Sequence, residues 1–239
     1  MQDYSYIGSG RVYLRDRNAQ GGGLVEIGNV SDLVFSVDEE VKELRDYRTQ
    51  GGGTLNEVRR IKSVSVSIVL SQIDPMNLSR ALYGTTSRID GGTVTDETHV
   101  AVKGALIPLN KINFSNIVVK SSDGSVTYTA GEDYEVRQAG IYILESGDIT
   151  DGSTIKISYS YGEQDVVQAL AGAQGEYELL FEGLNEARSS KPVIVRAWRV
   201  RFGALKKLSL IGDDYASLEL EGKVLADDTK VAGISRYFE

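Results

Sequence analysis

A catalytic or metal centre needs reactive side chains held a few ångströms apart, and this chain is sparing with the usual ones. It has one histidine, His99, and no cysteine. That removes thiolate nucleophiles, disulfides and thiolate zinc sites, and leaves a His-dependent triad or a His-rich metal site short of parts. His99 is read as an ordinary surface or edge residue. Asp148 and Asp151 carry the oxygen chemistry calcium takes, but their spacing is not that of a calcium loop, and Asp151-Gly152, like Asp123-Gly124, is a hairpin-turn signal. Gly51-Gly52-Gly53 is not followed by Lys-Ser or Lys-Thr and does not lie between a strand and a helix, so it is no phosphate cradle. Trp198, between Arg196 and Arg199, has the parts of a base-stacking site; in an alternating strand it reads as a core or interface aromatic. Carboxylates abound without one pair standing out as acid and base. The chain is therefore read as a non-enzyme with no cofactor and no metal.

The elements that position these residues are mostly strands. Glycine is frequent at 26, proline scarce at 3, and Val, Ile, Thr and Tyr recur in short alternating runs between glycine-bearing turns, which predicts a mainly β protein with few helices. The 239 residues, 41% of them apolar and 25% charged, suit a fold with a sizeable core. No apolar run approaches the ~18 residues of a membrane span, and Met1-Gln2-Asp3-Tyr4 does not open like a signal peptide, so synthesis and use in the cytoplasm are expected. The net charge of −8 argues against adhesion to DNA phosphates, which needs neutralising Lys and Arg.

Arg11 to Leu14 and Leu24 to Ile27, joined through Asn18 to Gly23, predict a hairpin. Leu33, Phe35 and Val37 alternate with Val34, Ser36, Asp38 and Glu40 as in a half-buried strand. A clearer alternation follows: Val64, Val66, Ile68 and Leu70 share one face, and Ser63, Ser65, Ser67 and Ser71 the other. That serine row is either a solvated sheet face or a smooth wall lining something. Between these strands, residues 39–60 are dense in interleaved charge and lack core spacing. They read as a loop too long for a hairpin turn and therefore as a contact element for a copy or a neighbour. Asp74 as N-cap, Pro75 at the first helical position and a closing Gly84 predict one short helix, with Leu78, Ala81 and Leu82 facing the sheet and Met76 filling the core.

Composition shifts after Thr85-Thr86-Ser87. Residues 99–164 offer several short strands joined by Asp-Gly turns and are read as an inserted small β domain. The core divides into 1–98 and 165–239. In the second part Tyr177, Leu179 and Phe181 alternate against Glu176, Glu178, Leu180 and Glu182, and the strands near 193–202 and 217–225 should rejoin the first sheet.

Residues 4–84 resemble the tail tube proteins of long, non-contractile-tailed bacteriophages. Four stretches carry the likeness: Tyr6-Ile7-Gly8 to Arg11-Val12-Tyr13-Leu14; Ile27-Gly28-Asn29-Val30-Ser31; Glu40 to Tyr47 with Gly51-Gly52-Gly53 and Asn56-Glu57-Val58-Arg59-Arg60-Ile61; and Pro75 to Gly84. The resemblance implies a tail-tube-type β-sandwich with one short flanking α-helix, a long inter-strand loop and the inserted β domain. It implies hexameric rings stacked into a tube through which DNA passes, with tape measure, tail terminator and distal tail proteins as partners, no membrane, and a place in the virion tail after synthesis in the bacterial host cytoplasm. The inter-ring loop would be formed by Glu43, Arg45, Asp46, Tyr47, Arg48, Gly51, Gly52, Gly53, Asn56, Glu57, Arg59 and Arg60. Residues opposite apolar faces on the strands expected in the inner barrel are the candidates to face the lumen: Asp38, Glu40, Ser63, Ser65, Ser67, Glu176, Glu178 and Glu182. The alternatives are the inner tube of a contractile injection or secretion system, and a carbohydrate-binding or adhesion domain.

Overall fold

Alternation of apolar and polar residues builds most of this molecule. In the computed structural model, which describes residues 5–19, 21–48, 50–230 and 237, the chain is mainly β with one short α-helix and several antiparallel sheets. The opening Met1 to Tyr4, Gln20 of the first turn and Thr49 lie outside the described residues.

The strands in chain order are β1 (Gly8–Asp16), β2 (Val25–Glu26), β3 (Val30–Arg45) and β4 (Thr54–Leu70), then α1 (Pro75–Ala81). There follow β5 (Thr85–Ile89), β6 (Gly92–Val100), β7 (Leu106–Pro108), β8 (Phe114–Ser121), β9 (Thr127–Tyr128), β10 (Tyr134–Arg137), β11 (Gly140–Ile143), β12 (Thr154–Tyr161) and β13 (Gln164–Gln168). The chain closes with β14 (Tyr177–Asn185), β15 (Lys191–Phe202) and β16 (Leu218–Val224).

Two compact units result. One comprises Met1–Thr86 and Val167–Glu239, the other Ser87–Val166. In the first, a seven-stranded antiparallel sheet runs β2-β1-β14-β15-β16-β4-β3, so strands from both ends of the sequence share one sheet. Its apolar face gathers Val12, Leu14, Val64, Val66, Ile68, Leu70, Leu179, Val200, Leu218 and Leu220, all nearly inaccessible, into one core. Gly8 and Val12 of β1 and Phe181 of β14 line the same depression as Val30, Leu33 and Phe35 of β3.

Helix α1 forms as its caps predict. Asp74 accepts from Asn77 N at 2.8 Å, a bond worth about 1 kcal/mol in such positions. Ala81 is buried and Leu78 packs on the core. Met76 is a correction: it lies 52% exposed, because the first turn points away from the sheet while buried Asn77 reaches inward to the Ile27 carbonyl at 2.8 Å. The left-handed residue that ends the helix is Tyr83 (φ 48°), with Gly84 packed against the Gln168 carbonyl where a side chain would collide.

The second unit has its own core of Ile107, Val119, Ile141, Ile143, Ile149, Ile155, Ile157 and Tyr159 between a four-stranded sheet (β6-β12-β8-β9) and a three-stranded one (β10-β11-β7). Its Asp-Gly turns place Gly124 (φ 78°) and Gly152 (φ 75°) in the left-handed region, as that signal requires. The unit begins at Ser87 rather than at residue 99. Strand β6 pairs along β12 from Gly92↔Tyr161 to Val100↔Thr154, so a boundary at 98/99 cuts through its sheet. Strands β5 and β13, which carry the chain in and out, pair with each other.

Candidate functional site

Residues 39–60 are not a loop. Strands β3 and β4 remain paired from Val30↔Leu70 out to Arg45↔Thr54, where Asp46 N donates to Gly53 O at 2.8 Å and the ladder ends. Gly51 takes a positive φ of 86° there. From 36 to 45 and from 53 to 62 every residue is exposed, so the outer half of this hairpin is a two-stranded arm with no layer on either side. At ~3.3 Å per residue the seven residues 39–45 give about 23 Å of ladder. The sequence pattern hid this strand because an arm wetted on both faces has no apolar side to alternate.

Its charges are ordered by register. Directly opposed residues share a face, which puts Glu39, Val41, Glu43, Glu57, Arg59 and Ile61 on one side and Glu40, Lys42, Leu44, Asn56, Val58 and Arg60 on the other. Arg59 pairs with Glu57 at 2.9 Å and Glu39 at 3.6 Å, and Glu40 with Lys42 at 3.7 Å. At the tip Arg48 holds Asp46 at 2.9 Å, and its hydrogen bonds draw the Asp46 carboxyl below the usual range. Tyr47, Leu44 and Leu55 are exposed at 86%, 55% and 54%.

The serine row lies where the alternation puts it. Ser36, Ser65, Lys223 and Arg201 are successive cross-strand partners on the face opposite the core, while Phe35, Val66, Gly222 and Phe202 form the row beneath them. Ser63, Ser65 and Ser67 are half-exposed on that polar face.

The acidic residues assigned to it need correction. Glu178 is buried, its side chain 4% exposed, and is held by Arg15 and, at 3.1 Å, by Arg196. Glu176 takes Arg199 through two 2.8 Å hydrogen bonds and also pairs with Arg201. Those arginine hydrogen bonds outweigh desolvation and pull its pKa down to about 2. Only Glu182 of the three is exposed, accepting from Tyr13 OH at 3.1 Å. Asp38 sits 3.3 Å from Lys62. Alternation along β14 shows which side its carboxylates take, but their neutralisers come from β1 and β15, distant in sequence. The β14 carboxylates therefore do not form a bare negative wall.

Two features escaped the sequence reading. The segment 203–217 carries Leu210, Ile211 and Tyr215 at 81%, 96% and 101% exposure, and Tyr215 with its neighbours lines a depression of about 330 Å³; the run Leu205 to Ile211 was its only signal. In the second unit, Glu97 is a hub. Tyr159 OH donates to it at 2.5 Å, Asn110 Nδ2 at 2.9 Å, and His99 Nε2 lies 2.7 Å away. Burial raises its pKa, but the hydrogen bonds from Tyr159 and His99 outweigh that and leave it lowered. His99 is thus an edge-strand residue with a partner two positions away on the same face. Trp198 is capped by Lys230, whose Nζ lies 3.9 Å from the ring centroid.

Residues 5–239 match the family described as "Protein of unknown function UCP028589". The chain belongs to this family. No curated protein matches it. Among the described residues no helix is long and apolar enough to cross a membrane, and no three His, Asp or Glu residues are grouped to hold a metal ion.

Proposed function

We propose that this chain is the repeating subunit of a tube: it closes into rings that stack along an axis, as in a phage tail tube, and the channel passes DNA. The arm of β3 and β4 carries this reading. A two-stranded hairpin is marginal in water by itself, and this one exposes Val41, Leu44, Tyr47, Leu55, Val58 and Ile61 on both faces. Such an element is suited to burial against another molecule.

The sheet supports the same reading at its margins. Strand β3 ends the sheet, and at the other margin β2 and Ile27 cover β1 only from Val12 to Leu14. Both margins are open backbone edges, which invite pairing and which ring closure removes. A head-to-tail contact that closes by rotation gives a ring, and an axial contact that never closes gives a filament.

Electron microscopy and light scattering of the purified protein over a concentration series test this. Tubes with a central channel are the expected result. A chain that stays monomeric at millimolar concentration, in crowding agents as well as in dilute buffer, would overturn it.

A further inference from the structure

Two surfaces of the core unit stand uncovered, and their chemistries match. On the arm, the face of Glu40, Lys42, Leu44, Asn56, Val58 and Arg60 has two cations for one carboxylate, with Leu44 and Val58 about half exposed between them. The reverse face has three carboxylates for one cation. The arm is therefore basic and apolar on one side and acidic on the other.

The second surface is the segment 203–217 that joins β15 to β16. Its stem is fixed by Gly203 N to Glu221 O and Leu205 N to Ala81 O, both 2.7 Å, and Leu205 and Leu208 pack on the core. Beyond them Leu210, Ile211 and Tyr215 stand almost fully exposed. Asp213, Asp214, Glu219 and Glu221 line the depression beside them. Lys206 neutralises Glu221, which leaves three carboxylates facing Lys207. A connection of this length inside a compact unit is uncommon unless it has a task.

We propose that segment 203–217 of one copy is the seat for the basic face of the arm of a second copy. Leu44 and Val58 lie on Leu210 and Ile211, and Lys42 and Arg60 face Asp213, Asp214 and Glu219. Within one chain both surfaces are exposed, so the arm does not occupy its own seat. The opposite charges select the basic face over the acidic one, since like charges brought together at an interface are strongly penalised. Donor and acceptor lie on different parts of the chain, so the contact is heterologous and repeats from copy to copy.

The inference rests on the assembly reading, and the test separates the two. In the full-length protein, Lys42→Glu with Arg60→Glu, or Asp213→Lys with Asp214→Lys, should raise the concentration needed for assembly by roughly tenfold, the scale of lost interfacial charge pairs. Combining all four changes should bring it back near the wild-type value. Because the chain has no cysteine, Leu44→Cys with Ile211→Cys supplies a second measurement: mild oxidation should yield a ladder of linked oligomers that neither single variant gives. Trp198 emission checks that each variant is folded. Assembly without charge-swap rescue and without the ladder overturns the seat while leaving the tube intact. A wild-type protein that never assembles and a double-cysteine variant that never cross-links overturn both.

Discussion

Glu178→Ala should be the most damaging single change on the polar face of the seven-stranded sheet. The carboxylate is 4% exposed between Arg15 and Arg196, whose side chains are 45% and 36% exposed. Arg196 Nε lies 3.1 Å from it yet makes no hydrogen bond, so the contact is ionic. Removing one partner of a buried ion pair costs about 3–5 kcal/mol, because the charge left behind is neither paired nor hydrated. Here the charges left behind are the arginines, 45% and 36% exposed and therefore largely hydrated, which discounts the loss to about 1–2 kcal/mol. For a unit of this size that lowers Tm by about 2–8 °C. Arg15→Ala should cost no more than about 1 kcal/mol, since Arg196 still holds the carboxylate and the lost partner was half in water. Trp198 is the sole tryptophan and lies in β15, so urea unfolding followed by its emission reports this unit alone. The reasoning fails if Glu178→Ala costs less than Arg15→Ala, or under about 1 kcal/mol.

Three further expectations follow from the same contacts. Glu176 has a folded pKa of about 2 against an ordinary 4.5, so its stabilising effect is complete above about pH 4.5 and is lost as pH falls toward 2; Glu176→Gln should flatten the acid limb of a stability-against-pH curve in that window. Asp74→Ala, which removes the N-cap of α1, should cost about 1 kcal/mol by the same urea assay. Deleting 87–166 should leave the urea midpoint reported by Trp198 unchanged, whereas deleting 99–164 should expose the unpaired β6 and cause aggregation visible by light scattering.

How far the sequence showed all this depended on whether a residue's environment is local. The row Val64, Val66, Ile68 and Leu70 against Ser63, Ser65 and Ser67 was legible because alternation alone decides inside from outside. Asp74 and Pro75 announced α1 for the same reason. The arm was not legible as strand: Val41, Glu43, Leu44 and Arg45 meet water on every side, so no burial pattern marks them, and only continuation of the β3 and β4 register carries the ladder outward. Glu176 and Glu178 failed differently. Their facing was readable, but the arginines at 15, 196, 199 and 201 that neutralise them arrive by sheet pairing. The boundary near 98 failed because β6 pairs with β12 far along the chain, and a composition shift cannot see a hydrogen-bond partner.

The pairing of β5 with β13 makes the core indifferent to what lies between them. The chain departs for the second unit and returns from it as neighbouring strands, so to the core everything between them amounts to the closure of one hairpin. The entropy of closing a loop grows only with the logarithm of its length, about 0.6 kcal/mol for each doubling. By this scaling the stem tolerates a change in the length of what it closes at little cost to the sheet. A foreign domain spliced between β5 and β13 should therefore leave the stability of the core sheet almost unchanged.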